Sequence, residues 1–157
     1  MALDHAEASP LQGTVCDLLT AKGSRLFSIS PRATVYEAAA MLEQHRVGAL
    51  LVMDEERLVG IISERDCVRK VILGGNASRE TLVEDIMTAD VIAVSPELAL
   101  GQCLKLVTER RIRHLPVVSR GKVAGVLSIG DLVRAVVAQQ AGTIESLKLY
   151  IDSDYPT

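Results

Sequence analysis

The chain repeats itself, and that repetition limits its fold more than any other feature. Residues 30–72 align with residues 95–137 at a constant offset of 65 without a gap. Eleven of the 43 paired positions are identical: Ser30/Ser95, Pro31/Pro96, Arg46/Arg111, Leu50/Leu115, Val52/Val117, Gly60/Gly125, Ser63/Ser128, Asp66/Asp131, Val68/Val133, Arg69/Arg134 and Val71/Val136. A shorter echo, 17–20 against 85–88, runs at an offset of 68. The length change therefore falls in the connecting segment, where extra residues cost little. Two copies are too few for a solenoid, so a pseudo-symmetric pair is expected. A copy of about 60 residues alone would bury only ~60% of its unfolded surface, so the copies should depend on each other. Function is then expected where they face each other.

Each copy has the same order of periodicities. In the first, Leu26-Phe27-Ser28-Ile29 alternates and stops at Ser30-Pro31, predicting a short strand. Thr34 and Glu37 have capping-box spacing, and Val35, Ala38, Ala39 and Leu42 recur at helical intervals. Two strands follow at 49–53 and 58–62, turned by Asp54-Glu55-Glu56, and a helix runs from Ser63 to Gly74-Gly75. The second copy repeats this with a strand at 91–94, a helix at 98–111, strands at 114–118 and 123–127, and a helix from Ser128. Ser119-Arg120-Gly121 supplies the hairpin turn. A short helix is expected around 81–87. The predicted organisation is a flexible N-terminal lead (1–13), a first repeat (14–75), a linker and second repeat (76–141), and a C-terminal tail (142–157). The tail is expected to be helical in part and to pack on the body or on a second subunit. The fold class is α/β in the α+β sense: two pseudo-twofold-related strand-helix-strand-strand-helix repeats packed sheet to sheet.

Composition narrows the function classes. Apolar residues make up 48% but aromatics only 3%, so the core is aliphatic and a base-stacking nucleic-acid surface is disfavoured. A net charge of −3 gives no general attraction to nucleic acid or acidic lipid. Cys16, Cys67 and Cys103 are widely spaced, and His5, His45 and His114 have no zinc-like spacing, so free thiols and no metal are expected. No apolar run approaches the ~18 residues of a membrane span, and Met1 to Glu7 lacks a signal-peptide organisation. A cytoplasmic protein is expected. G-x-S-x-G, G-x-x-x-x-G-K-[ST] and G-x-G-x-x-G are absent, so an enzyme is not expected.

The sharpest local signal is Gly60-Ile61-Ile62-Ser63-Glu64-Arg65-Asp66, matched by Gly125-Val126-Leu127-Ser128-Ile129-Gly130-Asp131. In each, an apolar strand runs into Ser-x-x-Asp at a helix start. That spacing can simply cap the helix. It can equally present a short carboxylate to a ribose diol, with the hydroxyl and free backbone amides near sugar or phosphate. A second signal is Arg110-Arg111-Ile112-Arg113-His114-Leu115-Pro116. Arg110 and Arg111 are read as solvated residues at a helix C-terminus. Arg113 and His114 begin a strand beside the presumed cleft, where ligand contact and a structural role are equally open.

Two strand-helix-strand-strand-helix copies carrying His114-Leu115-Pro116-Val117-Val118 and G-h-h-S-x-x-D resemble a tandem pair of cystathionine-β-synthase (CBS) domains, the Bateman module, over about 14–140. The resemblance implies small sheets packed about a pseudo-twofold axis, with two clefts that bind adenosyl ligands such as AMP, ATP, S-adenosylmethionine or NAD. It assigns ribose binding to Asp66 and Asp131, with Ser63 and Ser128 beside them; Arg65, Arg113, His114 and Pro116 are the further candidate binding residues. It puts adenine near Ile29, Leu50 and Val52 in one copy and near Val94, Leu115 and Val117 in the other. The copies are not equivalent: Gly48-Ala49 stands where the second has Arg113-His114, and Gly130 stands where the first has Arg65. The cleft near Arg113 and His114 is therefore expected to be the better anion site. The leading reading is a regulatory adenylate sensor acting on a separate protein, and the apolar helix faces at Val133, Val136 and Val137 point to a homodimer. The alternative is a dimerising scaffold with no small-molecule site.

Overall fold

The computed structural model describes residues 11–23 and 25–140. The expected tail (142–157) and most of the expected lead lie outside the described residues. Its chain order is α1 (Val15–Lys22), β1 (Ser28–Ile29), α2 (Val35–His45), β2 (Ala49–Asp54), β3 (Arg57–Ser63), α3 (Glu64–Asp66) continuing as a π-helix (Cys67–Ile72), α4 (Val83–Ile86), α5 (Leu100–Arg110), β4 (His114–Ser119), β5 (Lys122–Ser128) and α6 (Ile129–Gln139). This is the mixed α/β class read from the sequence, with two small sheets. One sheet has the order β1-β2-β3, with β1 parallel and β3 antiparallel to β2; the other is the β4-β5 hairpin.

The duplication is reproduced in physical detail. β2 and β4 share one burial pattern, and so do β3 and β5. Arg46 and Arg111 each end a helix in the left-handed conformation, with φ of 52° and 53°. At the β4-β5 turn Arg120 and Gly121 both have positive φ, 52° and 77°, which matches the right-handed twist of the strands they join. The strand expected at 91–94 is shorter than the pattern suggested. Only Val94 pairs, bridging Val117 in parallel, while the Val91 N–H donates to the Ala89 carbonyl. A local turn thus takes the donor that a longer ladder would have used.

Two compact units are present, and neither is one repeat. One gathers described residues 11–23, 95–115 and 127–140; the other gathers 25–94 and 116–126. The reason is that each lead-in segment packs against the other copy's helix start. Val15 N–H donates to the Leu98 carbonyl and Cys16 N–H to the Pro96 carbonyl. Their echoes, Val83 and Glu84, donate to the carbonyls of Ala33 and Pro31. Leu11 is buried, and the Gly13 carbonyl accepts from Leu100 N–H, so residues 11–13 belong to the first of these units.

The second unit has an aliphatic core of Ile29, Val35, Ala38, Leu42, Leu50, Val52, Ile62, Val71, Val83 and Ile86. α2 enters it because Val35, Ala38 and Leu42 share one face. The helix is opened by the predicted Thr34/Glu37 capping box, with Thr34 N–H donating to Glu37 Oε2 at 2.8 Å. Cys16, Cys67 and Cys103 are free thiols. Among the described residues no group of histidine, cysteine and carboxylate side chains is arranged for a metal ion, and no helix is long and apolar enough to cross a membrane.

Candidate functional site

Both Ser-x-x-Asp motifs sit at the end of a strand and the first turn of a helix. Ser63 N–H donates to Asp66 Oδ2 at 2.9 Å, Ser63 Oγ donates to the same oxygen at 3.0 Å, and Asp66 N–H returns a bond to Ser63 Oγ at 3.2 Å. Ser128 N–H donates to Asp131 Oδ2 at 2.8 Å, and Asp131 N–H to Ser128 Oγ at 3.1 Å. Both capping boxes therefore close, and each serine and aspartate already has a structural role.

The two carboxylates then part company. Asp131 is buried, at 5% exposure, and held by two cations: Lys22 Nζ lies 2.6 Å from Oδ2 and Arg134 Nη2 lies 2.8 Å from Oδ1. Asp66 faces Lys70, whose ammonium is 3.4 Å from Oδ1 and also donates to the Ile86 carbonyl at 2.8 Å. Arg65 is exposed on the turn between Ser63 and Asp66.

Backbone pairing brings the second signal to the first. Ile129 N–H donates to the Arg113 carbonyl at 2.8 Å, tying the start of β4 to the start of α6. The echo is Glu64 N–H to the Gly48 carbonyl at 3.1 Å, so Gly48-Ala49 occupies the same place beside Asp66. Arg113 is exposed and His114 half-buried. Burial lowers the His114 pKa, the Lys22 ammonium and Arg113 lower it further, and the Asp131 carboxylate opposes them without prevailing. Burial by itself would raise the Asp131 pKa, but hydrogen bonds from Lys22, the Ser128 backbone and Arg134 hold it below the ordinary carboxylate value. Lys22, Arg113, His114, Ser128, Asp131 and Arg134 thus form one cluster within a single compact unit. Pro116 stands apart: it is buried in β4, and its carbonyl accepts from Val94 N–H at 2.9 Å.

Lys22, Lys70 and Arg134 lie outside the motifs that mark the site in the sequence. Arg134 had a signal, because it is identical to Arg69 in the repeat and lies one helical turn from Asp131. Lys22 had almost none, being 109 residues from its partner. Three surface depressions lie elsewhere. One of about 800 Å³ runs past Arg32, Asp54 and Gly121, one of about 690 Å³ lies beside Gln12, Leu18 and Ala138, and one of about 330 Å³ is lined by Leu26, Leu51 and Val123. The last draws on strands of both copies, and none of the three includes Asp66 or Asp131.

Around Asp131 the arrangement combines a carboxylate able to accept from hydroxyl groups with two contacting cations, Lys22 and Arg134, of the kind that pair with phosphate. Comparison with known proteins is consistent throughout. The sequence matches the CBS domain over residues 17–73 and again over 83–138. It is 39% identical to the mitochondrial CBS domain-containing protein CBSX3 of Arabidopsis thaliana, over 90% of this chain and 73% of the plant protein. A putative signal-transduction protein with CBS domains from Burkholderia ambifaria superposes with a TM-score of 0.79 at 43% identity, covering 82% of this chain and 96% of that one. A CBS domain protein from Pyrobaculum aerophilum complexed with AMP gives 0.72 at 27% identity, covering 83% and 99%.

Proposed function

Since this chain belongs to the CBS domain family and carries the domain twice, we propose that it is a regulatory module that binds an adenine nucleotide and passes that state to a separate protein. The observation that carries this reading is the Asp131 cluster: a buried carboxylate at a helix start, with Lys22, Arg113, His114 and Arg134 around it. Asp131 accepts the ribose hydroxyls, with Ser128 beside it, and the cations meet phosphate. The AMP complex of the Pyrobaculum relative supports this ligand class. The concentration of positive charge favours AMP, ATP or NAD over S-adenosylmethionine, whose sulfonium is repelled by the same groups. At the first copy, Ser63, Arg65 and Asp66 form a second, less cationic site.

The ligand acts by binding one arrangement of the protein better than another; without that difference in affinity it would shift nothing. The working unit is a homodimer, supported by apolar pairs left exposed at repeat-equivalent positions, Val68 and Ile72 in one copy and Val133 and Val137 in the other.

A second reading is a scaffold with no small-molecule site. It is favoured by the closed capping boxes, which give both Ser-x-x-Asp motifs a sufficient structural purpose. Thermal unfolding with AMP, ATP, NAD and S-adenosylmethionine separates the two. A ligand at about 100 times its Kd adds ~2.7 kcal/mol of stability, a rise of several degrees. An unchanged melting temperature with all four favours the scaffold.

A further inference from the structure

Lys22 ends α1, far in sequence from the repeat motifs, yet its ammonium takes the same carboxylate oxygen that the helix cap uses. Asp131 Oδ2 thus accepts two donors, the Ser128 N–H and Lys22 Nζ, while Oδ1 accepts Arg134. The Ser128 bond belongs to the cap and stays with the fold. These three donors leave one of the carboxylate's roughly four acceptor positions open. A ribose diol brings two hydroxyl donors, so for one of them it must take the place of a cation. Of the two, Lys22 is the closer, and its ammonium also acts on the His114 ring.

The duplicated site lacks this feature in a telling way. At the offset of 68 that relates the lead-in segments, Thr20 and Ala21 match Thr88 and Ala89, and Lys22 falls on Asp90. A cation in one copy is a carboxylate in the other. The cation that does reach Asp66, Lys70, comes from its own helix one turn on and sits at 3.4 Å.

We propose that Lys22 is the specificity-determining residue of the Asp131 site: it holds the carboxylate until a nucleotide arrives, yields it to the ribose hydroxyls, and moves onto the ligand's phosphate. A phosphorylated nucleoside replaces the charge-assisted contact that Lys22 gives up, whereas adenosine does not, so the site selects for phosphate by the exchange itself. The Asp66 site, with Asp90 at the equivalent place, makes no such selection. This inference rests on the assignment of Asp131 as the ribose acceptor.

The test is calorimetric titration of AMP and of adenosine into the full chain carrying Asp66→Ala, which isolates the Asp131 site, with and without Lys22→Met. Lys22→Gln serves as a second neutral variant and Lys22→Arg as the conservative one. The expected result is that either neutral variant weakens AMP while leaving adenosine unchanged or tighter, so that the preference for AMP falls at least tenfold, and that Lys22→Arg retains it. Equal weakening of both ligands, or no change in either, overturns the proposal. Asp131→Ala in the same background distinguishes the causes. If it binds AMP undiminished, the ribose assignment itself is wrong; if it loses AMP while the neutral Lys22 variants keep the preference, only the exchange is wrong.

Discussion

Burial and the Lys22 ammonium hold the His114 imidazole neutral to lower pH than it would be in the unfolded chain. As pH falls through about 6.5, the unfolded chain therefore takes up a proton that the folded chain does not, and stability drops until the folded value is reached. Asp131 works in the same direction at lower pH. Its folded pKa is depressed, so its contribution is present above about pH 4 and lost as pH falls through the folded value. Chemical denaturation between pH 5 and 7.5 (roughly the span of an ordinary histidine titration) should thus show stability rising with pH. The slope should flatten in His114→Gln, and an unaltered slope would remove His114 from the explanation. His114 and Asp131 were both visible in the sequence as motif residues. Their coupling was not, because the ammonium that links them comes from a lysine with no motif of its own.

At the scale of single elements, caps and close contacts decide the outcome. Ser128→Ala removes the oxygen that accepts from Asp131 N–H, and a lost serine cap costs ~1 kcal/mol. Because the same change loosens Asp131, nucleotide affinity should fall with stability, and a binding loss without a stability loss would argue against the cap. Gly60 carries a different constraint. A Cβ there would come within 2.5 Å of Met87 Sδ and 3.0 Å of the Thr88 carbonyl, where Thr88 pairs with Ile61. Gly60→Ala should therefore destabilise by ~1–3 kcal/mol, an overpacking effect read by urea unfolding. The order of elements was legible because apolar periodicity, capping spacing and turn residues agreed with one another in both copies. The strand at 91–94 misled for a physical reason. Val-Ile-Ala-Val has strand propensity, but a local hydrogen bond from Val91 to Ala89 ends the pairing at Val94. The π-helix at 67–72 was equally hidden, since its copy in α6 is regular and the two sequences share Val68/Val133, Arg69/Arg134 and Val71/Val136.

Over the whole molecule, repetition was legible in the sequence and exchange was not. An offset that changes from 65 to 68 marks the lead-in segments as movable, but only the hydrogen bonds from Val15 and Val83 show that each serves the other copy. Each unit therefore holds the lead-in segment of one copy together with the helix start of the other. The exposed valines of α6 belong to this scale too. In the proposed homodimer Val133→Glu with Val137→Glu should shift sedimentation from dimer to monomer, because two charges in an apolar interface cost more than it returns. A dimer undisturbed by both changes would place the interface elsewhere.

The most direct test of nucleotide sensing is calorimetric titration of AMP into the unaltered chain, Asp66→Ala and Asp131→Ala. Losing a charge-assisted hydrogen bond costs ~1.5–3 kcal/mol, so Asp131→Ala should weaken AMP by about 10- to 150-fold, with a smaller effect from Asp66→Ala. Undiminished AMP affinity in both variants would contradict the account.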